Sequence, residues 1–416
     1  MIFLCISNKK LYLCNQLIMN RMRNSVSEKA PLVKIAVSLM AGIVLAKYLV
    51  IPFPLFPLLV VVVLLAFCLW RYEQLQSAVI GLCMVVLGAL LMQRAQQASL
   101  EPSSLDRSKT YFLEQRTKLL DRLSESGVDG SVYAVVAAMS LGDKSQLTKE
   151  LKDTYAVSGA SHILALSGLH LGIIYTLLSL LLSHRRWQVV SQVVIIVCIW
   201  SFVFLVGISA SVVRSAVMFT IYALLSLGHR DKMSVNTLAF AAIVVLLFNP
   251  MSLFDVGFQL SFMAVLAILL FYPLFESVWS QAFLLDHRIF RWLWMMLSVS
   301  CAAQIGVAPL IAYYFGRFSN YFLLANLMVV PAATLILYLS LLVLLIPSFA
   351  YLLIYIVETL NRLLTGIATL PGASIEGLHP TLLQVWMTYV IIGAVYCLLI
   401  RRTSPTRGWS ASRRAW

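Results

Sequence analysis

Apolar runs recur along this chain from end to end, and each is closed by charged residues or by proline and glycine. They cover residues 32–50, 58–70, 78–92, 164–182, 187–206, 208–227, 234–248, 260–275, 292–314, 322–346, 351–370 and 382–400. A hydrocarbon core of about 30 Å takes about 20 helical residues to cross, and inside it every backbone N–H and C=O must be satisfied within the chain. Only helices or closed barrels meet that demand, and runs this uniform lack the alternation of a barrel. With 61% hydrophobic and 12% charged residues, a soluble domain is excluded. The reading is an all-α, polytopic helical membrane protein of about twelve transmembrane segments, several of them short or discontinuous.

The charge of +14 is concentrated at the two ends. Residues 1–34 carry Lys9, Lys10, Arg21, Arg23, Lys29 and Lys34 against Glu28, and residues 401–416 carry five arginines and no acid, so each arm holds +5. Basic flanks stay on the cytoplasmic side of a membrane, which places both termini there; nucleic-acid binding by the arms is the secondary reading. Seven cysteines show no paired short spacing, so neither a disulfide framework nor a metal site is expected. The opening MIFLCI precedes its charges, unlike a cleavable signal, and Met19 or Met22 is an alternative start.

Six segments follow from these patterns: a basic arm over 1–31, N-terminal membrane helices over 32–92, an external segment over 93–157, a membrane core over 158–346, further membrane helices over 347–400, and a basic tail over 401–416. Residues 93–130 balance six basic against six acidic side chains, as suits a translocated loop. Within it Phe112, Leu119, Leu120 and Leu123 share one helical face, which predicts an amphipathic helix on the membrane surface. Residues 131–141 are apolar but too short to span, and with residues 148–157 they read as an interfacial or re-entrant block.

Polar groups inside apolar runs are costly and mark candidate functional positions. The densest set is VSGASHILALSGLHLG at residues 157–172, with Ser161, His162, Ser167 and His170. On one continuous helix Ser167 and His170 share a face, whereas His162 and His170 diverge by about 80°. Close helix packing, with the serines bonding to their own carbonyls, is the competing reading. Arg214 lies in the next-but-one run beside a small-residue stripe of Gly207, Ser211 and Ser215. The short run 234–248 breaks at Asn249-Pro250, ahead of Asp255 and Gln259, a pattern that points to a discontinuous helix lining a cavity. Asp255 is the candidate counter-ion for Arg214. Gln304 and Asn326 complete the set.

Enzyme chemistry finds little support. Ala165-Leu166-Ser167-Gly168 is a near miss to the Gly-x-Ser-Gly turn of an intramembrane serine protease, and the chain has neither an HExxH zinc signature nor a Walker A lysine. No cofactor or metal is expected, and energy for any transport must come from a partner, a gradient or the cargo itself.

The strings SGASHILALSGLHLGII, RSAVMFTIYALLSLGHR, NPMSLFDVGFQLSFMAVLAIL and QIGVAPLIAYYFGRFSNYFLLANLMVVP resemble, in order and spacing, the membrane core of the ComEC family of competence proteins, over about residues 130–345. The resemblance implies a cytoplasmic-membrane channel that passes single-stranded DNA during natural transformation, with DNA-receptor and ATP-dependent motor proteins as partners and a homo-oligomer as an open option. It also implies that Ser161, His162, Ser167, His170, Arg214, Asn249, Asp255, Gln259, Ser261, Gln304 and Asn326 line or hold a wet pathway, none of them catalytic. Many family members carry an external OB-like domain and a metallo-β-lactamase-like domain; the segment over 92–131 is too short for the former and the chain stops before the latter, so no nuclease activity is carried over. A transporter of a small anion, using Arg214 and Asp255, and a membrane scaffold are the alternatives.

Overall fold

A computed structural model describes residues 31–49, 55–69, 71–98, 106–182, 187–227, 235–279 and 281–403. The basic arm over residues 1–30, the end of the tail, and the charged segments at 183–186 and 228–234 lie outside these residues. Each of the twelve apolar runs forms a helix, and among the described residues eight helices are long and apolar enough to cross a membrane. Five further apolar helices are shorter, among them the 130–141 segment. The chain is a polytopic helical membrane protein.

The N-terminal three-helix unit comprises α1 (Pro31–Tyr48), α2 (Leu55–Cys68) and α3 (Glu73–Ala98). A Cβ at Gly42 would overlap the Val85 carbonyl oxygen, and one at Gly88 would overlap that of Leu39. In lipid, helices associate through packing rather than hydrophobic transfer, so these glycines let the α1 and α3 backbones touch. Helix α4 (Asp106–Glu125) carries the predicted amphipathic stripe, but that stripe faces protein. Phe112 stacks on Phe204 at 5.4 Å, Leu123 is fully enclosed, and Arg116 reaches Asp143 at 3.4 Å. The expectation of an apolar face laid on the membrane is corrected: this face is consumed by the helices beneath it.

Helix α5 (Gly130–Leu141) is buried on nearly every side, from Val132 to Leu141. An interfacial position does not fit; a twelve-residue apolar helix is more economical as core than as surface. It packs with α6 (Lys149–Val157) and α7 (Ser161–Leu164) against α15 (Phe322–Val343) and α16 (Ala350–Ala368), where Leu353, Val357, Leu360 and Leu364 form a buried stripe. A second cluster joins α8 (Gly168–Leu182), α9 (Gln188–Leu205) and α10 (Ala210–Leu227). Helix α11 (Val235–Phe248) packs on α1, and after a 3-10 turn over Pro250–Phe254 the chain enters α12 (Val256–Glu276). Short α13 (Gln281–Asp286) leads to α14 (Arg288–Phe315), which lies along α12, and α17 (Leu382–Thr403) closes the chain.

One small element departs from an all-α reading. Strands β1 (Arg317–Ser319) and β2 (Ser374–Glu376) pair antiparallel, with Phe318 opposite Ile375. This pairing ties the end of α14 to the end of α16. Contacts of Gly168 with Ser215, Arg214 with Asp255, Gln259 with Leu253 and Tyr314, and Lys47 with Phe254 gather the starts of α8, α10 and α12, the 3-10 turn and the ends of α1 and α14 at one end of the bundle, the polar end.

Candidate functional site

The run expected over residues 164–182 becomes a helix only from Gly168, and it does not continue the short helix Ser161–Leu164 before it. Chain direction changes at Ala165, whose backbone is extended, and α8 starts afresh at Gly168. Ser167 sits before that start. Its hydroxyl accepts the Leu169 N–H at 3.3 Å, while His170 Nδ1 accepts the Ser167 N–H at 3.3 Å. This reciprocal arrangement is a capping box in which histidine takes the place usually held by glutamate or glutamine. Accepting through Nδ1 puts the His170 proton on Nε2, which is buried without a partner among the described residues. The Ser167 Oγ to His170 Nδ1 distance of 3.2 Å is therefore part of a helix cap.

Breaking the helix also changes the relation of the two histidines. His162 belongs to α7 and His170 to α8, so helical spacing no longer sets where one lies relative to the other. His170 is fully buried. His162 and Ser161 are exposed, yet protein surrounds His162 closely enough that desolvation holds its pKa below the usual histidine range, opposed by a backbone hydrogen bond at Gly159.

The second polar group joins α10, α12 and α14. Arg214 Nη1 donates to Asp255 Oδ2 at 2.9 Å, so the pairing expected from sequence forms. Asp255 is also the N-cap of α12, accepting the Phe258 N–H at 3.2 Å through the same oxygen. Its side chain remains 45% exposed while Arg214 is only 2% exposed. Arg214 thus stands behind Asp255 instead of lining the surface, so of the two expected places, lining or holding, its burial leaves the second. Gly257 makes room for it, since a Cβ there would stand 2.9 Å from Arg214 Nη2. Gln259, in the first turn of α12, donates to the Leu253 carbonyl at 3.1 Å and accepts from the Tyr314 hydroxyl at 2.7 Å.

Other expected positions are more scattered. Asn249 caps the 3-10 turn by accepting the Met251 N–H at 3.1 Å. Gln304 is half-buried in the middle of α14 and has no hydrogen-bond partner among the described residues. Asn326, near the start of α15, buries an Oδ1 that has no partner among the described residues. Sequence reasoning missed Tyr314 as the partner of Gln259, because 55 residues separate them. It also missed Lys47, whose Nζ lies 3.5 Å from the centre of the Phe254 ring. Among the described residues no three His, Cys, Asp or Glu side chains converge as a metal site would require.

Relatives add an independent line. Over 278 residues the chain is 29% identical to ComE operon protein 3 of Bacillus subtilis, covering 62% of this chain and 33% of that protein. An uncharacterized protein of Aquifex aeolicus is 30% identical over 200 residues, covering 48% and 45%. The uncharacterized protein YcaI of Escherichia coli is 22% identical over 212 residues, covering 49% and 28%. The chain thus spans less than half the length of these relatives, and no solved structure matches it. Residues 139–402, from the end of α5 through α17, match the family described as Competence protein, and over that span the chain belongs to the competence protein family.

Proposed function

We propose that this chain forms a channel that passes single-stranded DNA across the cytoplasmic membrane during natural transformation. The observation that carries the reading is the polar end of a competence-family membrane core. Two helices, α8 and α12, begin there behind polar caps, next to exposed Ser161, His162 and Asp255. Irregular backbone at membrane depth is tolerated where it is enclosed by protein or lines a wet cavity. The basic arms of the sequence favour both termini inside, and with them the polar end on the external side. Ser161, His162, Asp255, Gln259, Gln304 and Asn326 border the pathway, while Ser167, His170 and Arg214 hold its walls. A DNA receptor outside and an ATP-dependent motor inside complete the machinery, and a second copy of the chain is a further partner.

A small-anion transporter would need Arg214 free to receive its substrate. Asp255 already neutralises it, and burial shields it, which favours the DNA reading. Transformation frequency with marked linear DNA, in a deletion strain with and without the complementing gene, tests the proposal. Loss on deletion and recovery on complementation is expected; unchanged transformation would overturn it.

A further inference from the structure

Exposed aromatic rings, a half-buried arginine and an exposed lysine at the polar end lie along a strip that the pathway residues do not account for. At the end of α14, Tyr313 and Tyr314 lie with ring centres 5.0 Å apart, and Tyr313 and Phe315 are 39% and 57% exposed. Arg317 follows on β1, which β2 holds in place. Tyr314 bonds to Gln259, and Gln259 bonds to the 3-10 turn at Leu253. The next residue, Phe254, carries Lys47 on its ring face at 3.5 Å. One chain of contacts therefore runs from Tyr313 and Tyr314, beside Phe315 and Arg317 in sequence, to Lys47, across the start of α12.

Resting on the channel reading above, we propose that this strip is a docking track for single-stranded nucleic acid, in which Tyr313 and Phe315 stack on bases and Lys47 and Arg317 meet phosphates. Every base has a π-face, so rings bind a strand without regard to sequence, and cations at both ends track its backbone. The hydrogen bonds through Tyr314 and Gln259 fix the ring cluster relative to the cation at the far end. Lys47 lies outside the segment that matches the family, so this half of the track belongs to the chain's own N-terminal unit.

Aromatic residues at a helix end also serve as membrane-interface anchors, and the experiment separates the two roles. The full chain in phosphatidylcholine nanodiscs is titrated with fluorescent oligo-thymidine and with an abasic strand of equal length. Tyr313→Leu and Phe315→Leu keep an apolar anchor but remove the ring; each is expected to weaken oligo-thymidine by about tenfold, with the abasic strand unaffected. Tyr313→Phe is expected to bind as the native chain does. Lys47→Gln and Arg317→Gln are expected to weaken both strands and to flatten the salt dependence by about 0.7 in slope each. Native binding with unaltered leucine variants, or equal weakening of both strands by them, would overturn the track while leaving the channel reading intact. Failure of the native chain to bind either strand would overturn both.

Discussion

The starts of α8 and α12 solve one problem in two ways. Each helix begins in the polar end of the bundle and must satisfy backbone N–H groups that no preceding turn can accept. At α8 the solution is local: Ser167 and His170, three residues apart, cap each other's backbone. At α12 the cap is Asp255, and its charge is held by Arg214, 41 residues away on another helix. A local cap makes a helix start independent of its neighbours. A long-range cap makes the start of α12 depend on where α10 stands, so a shift of α10 reaches the 3-10 turn, Gln259 and Tyr314.

The comparison breaks most decisively at the ion pair, because its two members are unequally placed. Asp255→Ala strips the partner from a guanidinium that is 2% exposed, leaving an uncompensated buried charge. Losses of that kind cost about 3–5 kcal/mol. Arg214→Ala leaves a carboxylate that is 45% exposed and can be hydrated in place, and it still caps α12. The expected outcome is a larger loss of thermal stability in detergent for Asp255→Ala than for Arg214→Ala. Equal losses would mean that the pair works as a symmetric bridge and that the asymmetry in exposure has no energetic consequence.

Much of this was legible from residues alone. A lone arginine in an apolar run has to find an acid, and Asp255, beside a Pro-broken helix, was the available one. The break before α8 was not legible, because Ala165-Leu166 continues an apolar run and Ser-x-x-His is not the usual capping-box pattern. The stripe on α4 was read correctly as a face, but amphipathicity does not say whether lipid or protein covers it; Phe204 and Asp143, the residues that do, lie 92 and 27 positions beyond Phe112 and Arg116. The β1 and β2 pairing joins three-residue segments across a helical hairpin, and segments that short carry no periodic signal.

The local cap is the next place to test. His170→Ala removes the group that accepts the Ser167 N–H and should cost about 1 kcal/mol, the usual scale for losing a capping side chain. His170→Gln should restore most of it, because glutamine reaches back in the same way. Thermal unfolding of the two variants decides the matter. If glutamine were no better than alanine, the imidazole would be needed for something other than the cap, and its buried Nε2–H would be the group to follow.

The smallest effect sharpens the comparison by asking whether the long-range network extends past the ion pair. Tyr314→Phe keeps the ring and removes only the hydroxyl that donates to Gln259 at 2.7 Å. A single neutral hydrogen bond contributes about 0.5–1.5 kcal/mol net. If α12 is held from both sides, by Arg214 through Asp255 and by Tyr314 through Gln259, the two restraints act on one helical turn and are coupled. Removing the second should then cost less in an Asp255→Ala background, where the turn has already loosened, than in the native chain. A double-mutant cycle reads this as a non-additive term, which groups sharing a network show and independent ones do not. Additive losses would confine the long-range cap to the ion pair and leave Gln259 as a purely local link between α12 and the 3-10 turn.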